Sequence, residues 1–166
     1  TKAFASLIVA HRGRIINIGS ISGILNEADA GAYQMTKHAL ETYSATLARE
    51  LAPSGVQVSI IEPGSYKSDI FKNEVQRSGV GGQAAEQWTK LTEPDEVAAV
   101  VESALFEPKP KLRYMVVPDQ EQARITIKAQ MEQLVQLNEG QRYTYDRVTL
   151  IKMLDAALVG ARPRSK

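Results

Sequence analysis

Apolar positions along this chain come in two rhythms. Residues 3–10 (AFASLIVA) are apolar at near-helical spacing and stop at His11-Arg12-Gly13. A basic last turn followed by glycine predicts a helix end there. Arg14–Ile18 (RIINI) and Val56–Ile61 (VQVSII) are short β-branched runs, which predict buried strands. Between them, Ala32, Met35, Ala39, Leu40, Tyr43, Leu47 and Leu51 recur with a 3.6-residue period. That spacing predicts one long helix from about Gly31 to Leu51, closed by Pro53-Ser54-Gly55, with residues 22–30 as a loop before it.

Residues 65–91 are polar and weakly periodic, with Gly79, Gly81 and Gly82, so we expect a loop with short helical pieces. Thr92-Glu93-Pro94-Asp95-Glu96 carries the signals of a helix start: a Thr cap, an early Pro and acids in the first turn. That helix should run to about Phe106. Leu112–Val117 predicts a third strand and residues 119–138 a further amphipathic helix. Ile127, Met131 and Leu134 share one face of it, expected to be core or a subunit contact. Tyr143–Leu158 predicts a last helix. Strands alternating with helices mark an α/β fold with a parallel, doubly wound sheet. A sheet covered on both faces explains why its strands are continuous apolar runs.

Composition narrows the function. In 166 residues, twenty Lys and Arg face nineteen Asp and Glu, a net charge of +1. A nucleic-acid or anionic-membrane binder would show a basic excess. We therefore expect no nucleic-acid partner, and the short basic end at Arg162–Lys166 reads as solvated. The absence of Cys excludes disulfides, thiol catalysis and Cys-ligated metal. With only His11 and His38, we expect no metal site. No apolar run approaches the ~20 residues of a membrane span, and no signal peptide is visible, so the expected location is the cytoplasm. The chain opens on Thr1, inside what reads as a helix already under way, which we take as a cut edge.

Candidate chemistry gathers around the first two strands. Tyr33 and Lys37 stand four apart and so share a helix face. A cation beside a phenol favours the phenolate, and a Tyr tuned this way can act as general acid or base. This spacing alone is weak, since six Tyr in the chain make one such pair unsurprising. Ser20 follows the first strand and Pro63-Gly64 ends the second. Both then lie beyond the carboxyl ends of parallel strands, where open α/β sheets bind ligands. Gly64 permits close backbone approach to a ligand. His38 is expected beside the site without acting in it. Glu27 and Asp29 read as loop acids, and Trp88 as a packing or substrate-contacting residue.

These motifs carry a resemblance. NIGSISG, the thirteen-residue step from Ser20 to Tyr33, YQMTK, and then IIEPGSYKSD resemble the second half of a short-chain dehydrogenase/reductase. The EPG wording is similar to the branch acting on hydrophobic alcohols and ketones, such as retinol and 17β-hydroxysteroid dehydrogenases. The resemblance implies the C-terminal part of a Rossmann-like domain and a cofactor that is NAD or NADP. It implies an oxidoreductase that interconverts an alcohol and a ketone or aldehyde. It makes Tyr33 the general acid/base. Lys37 would hold the nicotinamide ribose and strengthen Tyr33 as an acid. Ser20, with Ser22 near it, would orient the substrate oxygen. Pro63, Gly64, Ser65, Tyr66 and Ser68 would line the nicotinamide side. Ser68 stands where the family pattern Pro-Gly-x-x-x-Thr has Thr; it keeps the hydroxyl and loses a methyl.

On this resemblance the chain divides into a catalytic segment 1–64, a substrate lid 65–91, a helix plus last strand 92–118 and a helical extension 119–166, all within one partial domain. Ile24–Ala30 would form one pocket wall. The substrate would be a small hydrophobic alcohol or carbonyl compound, and the protein a homo-oligomer through the helix that bears Tyr33. The chain carries no Gly-x-x-x-Gly-x-Gly turn and no Asn-Asn-Ala-Gly segment. We therefore expect the dinucleotide-binding half to lie outside these residues, and the isolated 166 residues to have no turnover. The alternative is a noncatalytic fragment or degenerate paralogue that serves as an α/β packing or dimerisation module.

Overall fold

The computed structural model of the chain describes residues 1–28, 30–70, 73 and 89–161. The expectations for Asp29, for the glycines at 79, 81 and 82, for Trp88, for Arg162–Lys166 and for most of the 65–91 lid lie outside the described residues. The chain forms two compact units, Thr1–Ile127 and Lys128–Lys166.

The first unit is built on a parallel sheet in the order β1 (Arg14–Ile18), β2 (Gln57–Pro63), β3 (Arg113–Val116). Ile15 pairs with Val58, Asn17 with Ile60, and Ile60 in turn with Arg113. The strands fall within two residues of their predicted ends. Among the described residues this unit holds the helices α1 (Ala5–Ala10), α2 (Gly31–Leu51) and α3 (Asp95–Phe106). A fourth, α4 (Gln120–Asn138), starts here, and the boundary between the units falls inside it.

Side chains alternate across the pleat, and β2 shows the result. Val58 packs with Ile15 and Val56 against Ile8 of α1 and Leu47, Ala48 and Leu51 of α2. Ile61, one face over, packs with Tyr66, Ala104 and Val116 against Val97, Val100 and Val101 of α3. So α2 and α3 cover opposite faces of β2, as a doubly wound sheet requires.

Three local expectations are corrected. The α1 stop is not made by Gly13: Arg12 takes the left-handed conformation (φ 47°), and the Gly13 amide closes the turn on the Ile8 carbonyl. Thr92 does not cap α3. Its carbonyl accepts from the Lys67 amide in a bridge that pairs Thr92 with Tyr66, and Pro94 takes the cap position with its carbonyl accepting from Val97 and Ala98. The predicted acids, Asp95 and Glu96, do occupy the first turn.

The third correction concerns α2. Of its predicted apolar stripe, Met35 and Tyr43 are exposed, and so are Ala32 and Ala39. The buried residues of this helix are Gln34, Glu41 and Ser44. Only its last turns, through Leu47 and Leu51, meet the apolar core. The middle of α2 instead faces polar partners: Asn17 of β1 donates to Ser44 Oγ at 2.9 Å, and Arg113 of β3 reaches Glu41.

In the second unit, Gly140 (φ 67°) follows α4, and Asn138 makes a reciprocal pair of hydrogen bonds with the Tyr145 backbone. Asp146 accepts from the Thr149 amide and so caps α5 (Arg147–Ala161), which starts four residues later than the pattern predicted. Ile127, Met131 and Leu134 are each about half exposed, so that stripe is not core among the described residues.

Candidate active site

At the end of β1 the Gly19 amide still donates to the Ile61 carbonyl (2.7 Å), extending the ladder by one rung. Ser20 then turns the chain out of the sheet. Its hydroxyl accepts from the Ser22 amide at 3.1 Å, capping the 3-10 turn Ile21–Gly23, and points its own proton at the Pro63 carbonyl, 3.4 Å away. Ser20 is thus anchored at the mouth of the sheet, between the ends of β1 and β2, by one good bond and one weak one.

Tyr33 lies in the first turn of α2 and is 38% exposed. One turn on, the Lys37 ammonium donates to the carbonyls of Gly19 (3.0 Å) and Ile18 (3.3 Å) and sits 5.5 Å from the Tyr33 ring centre. The helix is thereby tied to the end of β1 by its Lys, with the phenol alongside. Burial holds the Lys37 ammonium below its ordinary pKa, and the negative charge of Glu41 offsets part of that.

At the end of β2 the Gly64 amide donates to the Val116 carbonyl (2.7 Å). A Cβ at Gly64 would push the end of the Gln122 side chain aside and stand 3.0 Å from Val117 Cγ1 and 3.2 Å from Pro118 Cδ. The same Gln122 oxygen accepts from the Ser65 amide at 2.8 Å. One open crevice of about 940 Å³ is lined by Ser20, Ser22, Tyr33, Lys37, Pro63, Gly64, Ser65, Tyr66 and Ser68, and also by Glu27. Every residue given a catalytic, cofactor or substrate role from the sequence therefore lines this crevice, and of the expected wall Ile24–Ala30, Leu25 and Glu27 do.

Tyr66 departs from the rest. Its side chain is buried in the α3 core cluster and its hydroxyl donates to Glu96 Oε2 at 2.8 Å. Burial, then the bonded and charged Glu96, push its pKa up to about 12. Tyr66 offers the crevice little but backbone. His38 does not line it; its Nδ1 donates to the Gln34 carbonyl.

Two features escaped the sequence. Gln122 and Ile125, from the first turns of α4, also line the crevice. Nothing in their local pattern marks them, because that helix reaches the site only through the fold. The second is a charge cluster behind the site, in which Nη1 of the exposed Arg113 bridges the buried Glu41 (2.5 Å) and Glu62 (2.7 Å). A signal for it existed: Glu62 interrupts the apolar run of β2, and a carboxylate there needs a partner.

The family described as short chain dehydrogenase matches residues 1–79. Over that span, just under half of the chain, the sequence is similar to the short-chain dehydrogenases. Retinol dehydrogenase 5 of Mus musculus is 43% identical over 74 residues, which cover 45% of this chain and 23% of that protein. A short-chain dehydrogenase from Streptomyces avermitilis superposes with a TM-score of 0.64 at 27% identity, covering 84% of this chain and 54% of that one. A metagenomic short-chain oxidoreductase solved in complex with NADP gives 0.50 at 28% identity, covering 71% and 44%. The chain spans less than half the length of the curated short-chain dehydrogenase relatives it matches. Among the described residues, no helix is long and apolar enough to cross a membrane.

Proposed function

We propose that these residues form the catalytic wall of an NAD(P)-dependent oxidoreductase that interconverts an alcohol and a ketone or aldehyde. The observation that carries this reading is the convergence of Ser20, Tyr33, Lys37 and Pro63-Gly64 on one crevice at the carboxyl ends of β1 and β2. The residues suit the nicotinamide end of such a cofactor. Gly64 presents bare backbone to the crevice, with Ser65 and Ser68 beside it, and the Ser65 amide would exchange its bond to Gln122 Oε1 for one to the cofactor. Lys37 would hold the ribose. The pyrophosphate end finds no glycine-rich turn in this sequence.

When bound, the nicotinamide supplies or accepts the hydride. The chain's own residues handle the proton and the oxygen. In the reductive direction Tyr33 gives its hydroxyl proton to the substrate oxygen as the C–O bond becomes an alcohol; in the oxidative direction it takes that proton back. The Ser20 hydroxyl exchanges its weak bond to the Pro63 carbonyl for one to the same oxygen, and so fixes where that oxygen sits. The Lys37 ammonium, held near the phenol by the ends of β1, favours the phenolate that remains after proton transfer. Ile21, Leu25 and Val97 supply apolar walls, which suit a hydrophobic substrate like those of the retinol branch.

The exposed stripe of Ala32, Met35, Ala39 and Tyr43 on α2 would pair subunits through the helix that bears Tyr33. It also favours the second reading, a noncatalytic dimerisation module. Tyr33→Phe in the full-length protein separates the two. It removes only the hydroxyl, and should lower kcat by about 10²–10⁴-fold with the fold intact. NAD(P)H-coupled turnover near wild type in that variant removes Tyr33 from the mechanism. No turnover in the wild type across a panel of ketones and aldehydes favours the module.

A further inference from the structure

Glu41 lies one turn beyond Lys37 on α2, is only 6% exposed, and has its two oxygens committed in different directions. Oε2 takes the Arg113 guanidinium. Oε1 faces the loop that carries Ser20 and has no hydrogen-bond partner among the described residues. The contact with that loop is close on both sides of Ser20. A Cβ on Gly19 would stand 3.1 Å from Oε1; one on Gly23 would stand 2.9 Å from Glu41 Cγ and 3.1 Å from Oε1. The Ser20 loop therefore rests directly on the Glu41 side chain, and only glycines let it come so near.

The other end of the cluster reaches the opposite wall of the crevice. Arg113 also binds Glu62, the residue before Pro63-Gly64. One guanidinium thus ties α2, which bears Tyr33 and Lys37, to the stem of the Pro63-Gly64 turn, while Glu41 props the Ser20 loop from below. We propose that Glu41 is a positioning residue for this site, setting the height of the Ser20 loop over α2 and its alignment with Tyr33 and Lys37. This rests on the catalytic reading of the crevice, although the contact itself does not.

The charged groups facing Glu41 are Lys37 from its own helix, Glu62 from β2 and Arg113 from β3; the Gly19–Gly23 loop brings only hydroxyls and backbone. Two buried carboxylates share the one guanidinium of Arg113, which is itself 45% exposed, with Lys37 the other cation nearby. Burial first, then the charge and hydrogen bond of Glu62, raise the Glu41 carboxyl to about 7, with Arg113 opposing. The prop therefore changes its charge near neutral pH. Ionised, Glu41 adds a negative charge one turn from the Lys37 ammonium and an unpaired oxygen under the loop.

The test compares Glu41→Gln and Glu41→Ala in the full-length protein. In wild type the backbone amides of Gly19, Ser20 and Gly23 should shift with pH around neutrality, and in Glu41→Gln that titration should vanish. Glu41→Ala should lower kcat by up to about 100-fold with KM for the carbonyl substrate little changed, as a misplaced group does. Glu41→Gln, which keeps the size, should recover most of it and remove from the kcat profile the step near neutral pH that Glu41 contributes. The proposal is overturned if these amides titrate alike in wild type and Glu41→Gln. It is also overturned if Glu41→Ala lowers thermal stability alone and leaves kcat and its pH profile unchanged. Should Tyr33→Phe prove active, the catalytic reading fails, and the amide titration still decides whether Glu41 props the loop.

Discussion

Replacing Gly23 by Ala adds a single methyl in the most crowded place beside the site. Gly23 is not in the left-handed region, so Ala can adopt its backbone and any cost is steric. The new Cβ would meet Glu41 Cγ at 2.9 Å and the Lys37 carbonyl oxygen at 3.1 Å. Comfortable carbon contacts begin at about 3.5 Å, so about half an ångström must be found. The Lys37 carbonyl belongs to the backbone of a long helix and yields little. The loop must lift, and Ser20 moves with it. Overpacking of this kind costs about 1–3 kcal/mol, and each kcal/mol lowers Tm by roughly 2–4 °C in a chain of this size. Urea unfolding followed by circular dichroism reads the stability, and turnover reads the loop, with a loss of up to about 100-fold expected from displaced Ser20. Gly31→Ala is the control: among the described residues, nothing beyond its chain neighbours and its own helix backbone lies within 4 Å of its Cβ position, so the change should stabilise by about 0.4–1 kcal/mol through the unfolded state. A Gly23→Ala protein with the wild-type urea midpoint would refute the steric argument, and with it the close seating of the loop on Glu41.

Three further outcomes are expected. Glu41 has its carboxyl raised to about 7 from an ordinary 4.5, so the folded state binds the extra proton between those values; stability should fall as pH rises through that window, by at most about 1.4 kcal/mol per pH unit, and Glu41→Gln should flatten the slope in urea titrations at pH 5 to 8. Ile61→Ala empties a fully buried position between Ala104, Val116 and the apolar face of α3, and should cost about 2–5 kcal/mol by urea denaturation; a loss under 1 kcal/mol would mean that cluster is not core. Ser44→Ala leaves the half-buried Asn17 Nδ2 without its 2.9 Å acceptor and should cost about 1 kcal/mol, whereas the double change with Asn17→Ala should cost less than the sum of the two.

The strands and helices were legible in the sequence because their signals are local. RIINI and VQVSII are too apolar and too short to be anything but strands of a covered sheet, and glycine and proline mark where each element stops. The site was legible for a related reason. Ser20, Tyr33, Lys37 and Pro63-Gly64 are each fixed to a strand end or to the first two turns of α2, so their meeting follows from strand–helix–strand order alone.

What the order of residues did not contain is which face of each element carries which partner. The 3.6-residue stripe of α2 points outward over much of its length, while Gln34, Glu41 and Ser44 point in, because the sheet beneath offers Asn17, Glu62 and Arg113 rather than aliphatic side chains. Arg113 is 72 residues from Glu41 and 51 from Glu62, and Gln122 is 57 from Ser65; no periodicity spans such distances. The sequence by itself determined the elements, their order and the chemistry of the crevice, since these depend on local propensity and polarity. Only the tertiary structure decided what supports that crevice, because a buried charge is acceptable only where another element brings its counter-charge.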